Sequence, residues 1–166
     1  MRLEIYRVER VFDGMSFGEA GAYEKIIGRA HGQVDPAHPL NAEIVNLGKA
    51  PKNEAGFVEY WVDFYLLKPI DISKGNRRLL YDAPNRGDKL ALIDINDAEE
   101  GPTTNDPVSV IDAGNGFLMR QGYTVVWCGW QHDVPDVPGV MRVRVPDAMT
   151  AEGPVCGEIV VTFQIN

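Results

Sequence analysis

A chain of 166 residues is long enough for one domain with a core of its own and short for two. Apolar residues make up 45% of it and charged residues 24%, the balance of a folded globular protein rather than a disordered one. The net charge of −8, without any block of Lys or Arg, argues against nucleic acid or an anionic membrane surface as a partner.

The first ten residues set a charge at every second or third position and cannot form a signal-peptide core. No segment approaches the roughly 20 apolar residues that span a bilayer, so a cytoplasmic location is the default expectation. Cys128 and Cys156 are too few for a disulfide framework and too far apart for a local metal knuckle, which leaves them as buried free thiols.

In chain order, residues 3–11 alternate apolar and charged side chains like a half-exposed strand. A turn region over 14–21 leads to a strand over 23–34, with Gly28 and Gly32 as candidate bulges. After the breaks at Asp35-Pro36 and His38-Pro39, residues 43–47 read as a short strand and 56–67 as a long one. Successive strands on short turns predict an antiparallel arrangement over 1–75.

The pattern then changes. Residues 78–83 form a short apolar run of the kind found inside a sheet, and 84–106 are rich in Gly, Pro, Asn and Asp and read as loop. Residues 114–122 fit a short helix with a Gly cap, and 123–127 a second buried strand. Strand, crossover helix, strand over 76–133 predicts a parallel pair. Further strands are expected at 141–145 and 155–165. The fold class is therefore α/β and β-rich, with antiparallel N-terminal strands leading into one parallel strand-helix-strand unit. The whole reads as a single domain, the N-terminal portion of a longer protein, since residues 157–166 run as a strand without a polar tail.

Two places could carry chemistry. The Asn85-Arg86-Gly87 turn follows a buried strand, so its backbone N–H groups would be free at the carboxyl edge of the sheet, where ligands bind and an oxyanion could be held. The plainer alternative is an Arg86 salt bridge and a Gly87 at positive φ. Trp127, Trp130 and Gln131 flank the end of the second strand and could line a pocket; equally, the Trp side chains could belong to the core. A Cys128–His132 nucleophile pair lacks an electropositive setting. Neither His31, Asp35 and His38 nor His132, Asp133 and Asp136 has a metal-site spacing, and the acidic stretch from Asp94 to Glu100 reads as a solvated face. The serines, Ser16, Ser73 and Ser109, all lie outside a G-x-S-x-G turn, and no phosphate-binding Gly loop occurs. No catalytic residue and no cofactor is thus assigned within the chain.

One set of motifs in order carries a resemblance. It comprises Gly18-x-x-Gly21-Ala22-Tyr23-Glu24, Gly28-x-Ala30-x-Gly32-x-Val34-Asp35-Pro36, Asn41-x-x-Ile44-Val45, Ala50-Pro51, Gly56-x-Val58-Glu59-Tyr60, Asp63-Phe64, Asn85-Arg86-Gly87 and Gly122-Tyr123-Thr124-Val125-Val126-Trp127-x-Gly129-Trp130-Gln131. Together these resemble the N-terminal part of a family of bacterial α/β-hydrolase-domain proteins, mostly uncharacterised and assigned as esterases. The resemblance implies that residues 78–83 are the central strand before the oxyanion loop, that Asn85-Arg86-Gly87 stands at that loop's backbone donors, and that a small ester is the substrate of the longer protein. It implies a Ser, acid, His order for the triad, all beyond Trp127. The loop carries Asn-Arg-Gly where the family more usually has a His-Gly pair. The competing expectation is a self-standing β-rich domain that binds a ligand or a partner. An open sheet edge would favour self-association in the hydrolase case.

Overall fold

The computed structural model describes residues 1–158 together with Val160 and Val161. The alternating N-terminal segments pair as β1 (Arg2–Arg10) and β2 (Tyr23–Val34), antiparallel, from Arg2 opposite His31 to Arg10 opposite Glu24. The register slips between Ile5 and Arg7, so in this pair the extra residue lies on β1, next to the Ile5–Gly28 pairing. Gly28 answers a different need: a Cβ there would sit 2.1 Å from the Glu4 carbonyl oxygen.

Residues 43–47 are not a strand. Short 3-10 turns at Pro39–Asn41 and Leu47–Lys49 flank them, and Asn46 adopts a left-handed conformation with φ +57°. A lone apolar pair, Ile44-Val45, is outweighed there by Pro and Asn turn chemistry. The next strand, β3, runs Val58–Pro69 and lies beside β2.

The parallel pair forms as the sequence predicts. β4 (Leu79–Asp82) and β5 (Thr124–Cys128) run in the same direction, Leu79 opposite Thr124 and Asp82 opposite Trp127. β5 inserts between β4 and β3 and is antiparallel to β3, with Phe64 opposite Cys128 and Leu67 opposite Val125. The order is β1-β2-β3-β5-β4. Beyond β5, the two-residue β6 (Val143–Arg144) pairs with Trp61 and Val62 of β3, antiparallel. The chain is thus mixed α/β, with mostly strands and few α-helices, and antiparallel pairing dominates the sheet.

The crossover contains more than the expected helix. The span read as loop holds α1 (Ala91–Asn96), whose first N–H groups are satisfied from a distance: Asp82 Oδ2 accepts from Leu90 N (3.1 Å) and Ala91 N (2.8 Å). At its far end Asn96, fully buried, donates to the Ala113 carbonyl and accepts from Leu118 N–H, both at 3.0 Å. That pair of bonds ties α1 to the 3-10 turn Val110–Ala113 and to α2 (Phe117–Arg120), which is shorter than the helix expected over 114–122. Gly116 at its N-cap and Gly122 just beyond it both have positive φ, which limits α2 to four residues.

The core lies on one face of the sheet. Tyr65, Leu67, Val125 and Trp127 pack there with Phe12, Phe17, Tyr23 and Met119, and Phe12–Phe17, Phe17–Tyr23 and Tyr65–Trp127 meet edge to face at 5.4 to 5.7 Å. The alternate positions of β4, Leu79 and Tyr81, are 61% and 52% exposed. A parallel pair is normally covered on both faces, and among the described residues these two positions of β4 are left uncovered.

The chain divides into two compact units: Met1–Gly32 with Tyr60–Arg144, and Gln33–Glu59 with the described residues of Val145–Asn166. The second unit holds a small antiparallel pair, β7 (Met149–Thr150) and β8 (Gly153–Pro154). Of the strand expected over 155–165, residues 155–158 have no regular structure, and residues 159 and 162–165 lie outside the described residues. Among the described residues no helix is long and apolar enough to cross a membrane.

Candidate functional site at the carboxyl edge of the parallel pair

β4 ends at Asp82, and three residues later the chain folds into a tight bridge in which Asn85 and Asp88 exchange N–H···O bonds of 3.1 and 3.0 Å. Between them Arg86 and Gly87 both have positive φ, +54° and +92°. Gly87 is required on a second count, because a Cβ would approach Val140 Cγ1 to 2.4 Å. The Arg86 N–H points out of the turn and donates to Gln131 Oε1 at 2.9 Å. Its guanidinium Nη1 bonds both carboxylate oxygens of Asp133 at 2.9 Å, and Nη2 reaches the Asp133 carbonyl at 3.1 Å. The hydrogen bond from Arg86 holds the Asp133 carboxyl below its usual range.

The plainer reading of the turn is present, with the Arg86 salt bridge and the positive-φ Gly87, and the Arg86 backbone donor, expected to be free, is occupied by the Gln131 amide oxygen. Trp130 joins this group, with Nε1 donating to the Pro84 carbonyl at 2.7 Å while its ring stays largely exposed. Trp127 does not. It is buried in the core, and its Nε1 donates to Asp82 Oδ2 at 2.6 Å, so the side chain fixes the carboxylate that caps α1 rather than lining a pocket.

Cys128 is half-buried, and burial pushes its thiol up, away from the thiolate a nucleophile needs. Cys156, expected to be buried, is exposed. His31 Nε2 sits 2.8 Å from Glu4 Oε2, while His38 Nδ1 accepts from Leu40 N–H within its own turn. Among the described residues no group of three or more His, Cys, Asp or Glu is placed to hold a metal ion. Ser73 hydrogen-bonds Asp71, and Ser109 shares a capping box with Asp112.

A charged cluster that sequence reasoning missed lies on the covered face of the sheet. Asp106, in the long crossover loop, accepts from Lys25 Nζ at 2.5 Å and from Arg7 Nη2 at 3.0 Å, with the Tyr65 hydroxyl 3.4 Å away. Lys25 is 2% exposed. Burial alone would push the Asp106 carboxyl up; the hydrogen bonds and charges of Lys25 and Arg7 outweigh it and hold the group below its usual range. Burial, with Asp106 beside it, raises the Tyr65 phenol far above its ordinary value.

Lys89, two residues after Gly87, closes the cluster. Its ammonium donates to the carbonyls of Asn105 (2.6 Å) and Gly139 (2.7 Å) and lies 4.6 Å from the centre of the Tyr65 ring. Burial lowers its pKa to about 7, against the pull of Asp106, Asp88 and Asp63. Tyr65, Lys89, Asp106 and Arg7 line a cavity of about 220 Å³. The arrangement sets a phenol raised far above its ordinary value beside a carboxylate held below its own and an amine that burial lowers to about 7. Its lining holds no Ser or Thr hydroxyl. The one sequence signal for it was parity: Lys25 shares the inward positions of β2 with Tyr23 and Ile27.

Comparison of the chain with protein-family models, with curated proteins and with solved structures gave no match in any of the three.

Proposed function

We propose that this chain is the first half of an α/β-hydrolase-like sheet and supplies the oxyanion side of a serine ester hydrolase whose Ser, acid and His lie outside these residues. The observation that carries the reading is the Arg86 N–H, presented beyond the carboxyl end of a parallel strand and donating to a carbonyl-type oxygen, Gln131 Oε1, at 2.9 Å. Hydrolases of this architecture draw one oxyanion donor from the loop that follows such a strand and the other from the residue after the nucleophile. The exposed apolar positions Leu79 and Tyr81 on β4 support the same reading, because further elements of a larger sheet would cover them.

In this mechanism the ester carbonyl oxygen displaces Gln131 Oε1 from the Arg86 N–H. The serine Oγ adds to the carbonyl carbon as its proton passes to the histidine, and the carbonyl oxygen becomes the oxyanion. Collapse expels the alcohol, which takes that proton, and leaves an acyl-serine that water hydrolyses to the acid. One preorganised donor of this kind contributes about 3–4 kcal/mol to the transition state. The Arg86–Asp133 pair holds the turn in place, and Gly87 permits its close approach to Val140.

The test is a paired assay. The 166-residue chain should show no ester turnover above background, whereas its coding sequence expressed through to the natural stop codon should yield an esterase inactivated by a serine-directed phosphonate. Phosphonate-sensitive esterase activity in the pure 166-residue chain contradicts the assignment. The competing reading, a β-rich domain that only binds, is favoured by one feature, the arginine-lined groove described next.

A further inference from the structure

The chain is acidic overall, with 24 Asp and Glu against 16 Lys and Arg, yet one groove on it gathers three arginines. The groove, of about 390 Å³, is built where β6 pairs with β3. Arg144 stands directly opposite Trp61 in that pairing, and Arg142, two residues earlier, falls on the same side of the strand. Arg29 reaches in from β2. Its guanidinium carbon lies 3.8 Å from the centre of the Trp61 ring, and its Nε donates to Asp63 Oδ1 at 3.0 Å. Two planar groups are thereby stacked and fixed before any ligand arrives.

The carboxylates in the groove divide by what holds them. Asp63 is committed to the fold: one oxygen takes Arg29 and the other takes the Arg142 backbone N–H at 3.2 Å. Asp136 is not. Its side chain is 92% exposed, on the loop between Pro135 and Pro138, and its single ion pair is with Arg142 Nη2 at 2.6 Å. The Arg142 side chain is only 18% exposed and is steadied by the Pro135 carbonyl at 3.2 Å. Arg144 makes no ion pair or side-chain hydrogen bond among the described residues. A fixed guanidinium therefore offers its outer edge to a loosely held carboxylate, beside a second guanidinium with no counter-ion among the described residues.

We infer that this groove binds a small organic carboxylate, whose carboxyl group takes the place of Asp136 on Arg142, gains Arg144 as a second partner, and lays its carbon skeleton along Trp61. Arginine is suited to this because its planar fork matches a carboxylate bidentately. Displacing Asp136 costs little, since an exposed ion pair is weak. The inference stands independently of the hydrolase reading, because it uses none of the oxyanion-turn residues.

Calorimetric titration of the 166-residue chain with benzoate, and with uncharged benzamide and inorganic phosphate as controls, tests it. Benzoate should bind, and benzamide at least about tenfold more weakly, the scale of one charge-assisted hydrogen bond. Arg144→Gln should weaken benzoate by a similar factor. Asp136→Asn should tighten benzoate about two- to fivefold, the scale of a weak exposed ion pair removed as internal competitor, and should leave benzamide unchanged. Both side chains are exposed, and circular dichroism of the two variants should match the parent. Absence of benzoate binding, equal binding of benzamide, tighter binding of phosphate, or an Asp136→Asn variant with unchanged affinity would each overturn the proposal.

Discussion

Replacing Asp106 with Asn keeps the shape of the side chain and an acceptor oxygen for Lys25 but removes the charge at the centre of the buried cluster. Lys25 Nζ would then retain the Pro107 carbonyl at 3.1 Å and Glu9 Oε2 at 3.5 Å, the latter on a largely exposed side chain. Removing one partner of a fully buried ion pair costs about 3–5 kcal/mol. Here the Asp106 side chain is 35% exposed and Glu9 still offers partial compensation, so screening reduces the expected loss to about 2 kcal/mol. The assay is urea unfolding followed by far-UV circular dichroism at pH 7 and at steps down to pH 3. The folded-state pKa of Asp106 is depressed, so its contribution is complete above the unfolded value near 3.9 and is lost as pH falls through the folded value. The gap between the parent chain and Asp106→Asn should accordingly close below about pH 4. A gap under about 0.5 kcal/mol at pH 7, or one that does not change with pH, would show that Lys25 is not held by this carboxylate.

Two further outcomes follow from other buried groups. Lys89 has a folded pKa of about 7, below the unfolded value near 10.4, so the unfolded chain carries the extra proton between those limits and stability rises with pH across them. From pH 7 to pH 9 the parent should gain on the order of 1–2 kcal/mol relative to Lys89→Met in chemical denaturation, and a constant difference would refute the assignment. Under native conditions iodoacetamide should modify the exposed Cys156 quickly and the half-buried Cys128 slowly, with both reacting once urea is added. Peptide mass spectrometry reads the two sites, and equal native rates would contradict the burial of Cys128.

Local patterns explain which parts of this fold were legible. The alternation in residues 3–11 and 23–34 placed β1 and β2 within a residue or so, and the apolar runs before Asn85 and Trp130 gave the parallel pair. α1 escaped because its cap is Asp82, eight and nine residues upstream of the N–H groups it satisfies, so no local capping signature marks its start. Residues 43–47 went the other way: their apolar pair suggested a strand where Asn46 in the left-handed region enforces a turn.

The candidate site divides along the same line. Asn85, Arg86 and Gly87 were legible from turn chemistry, and Gln131 from its place after a strand end. That Gln131 meets the Arg86 N–H is a contact across 45 residues and could not be read from spacing. Trp127 stayed open between pocket wall and core because a Trp at a strand end carries no sign of which face it takes; its partner Asp82, on the neighbouring strand, decides that. The Lys25–Asp106 pair spans 81 residues and left only the inward parity of Lys25 as a clue.

Reading the coding DNA beyond the codon for Asn166 tests the hydrolase assignment most directly. The expected result is an open frame that supplies a G-x-S-x-G turn followed by an acid and then a His. A stop codon at that point would contradict it and leave a β-rich domain whose function rests on binding.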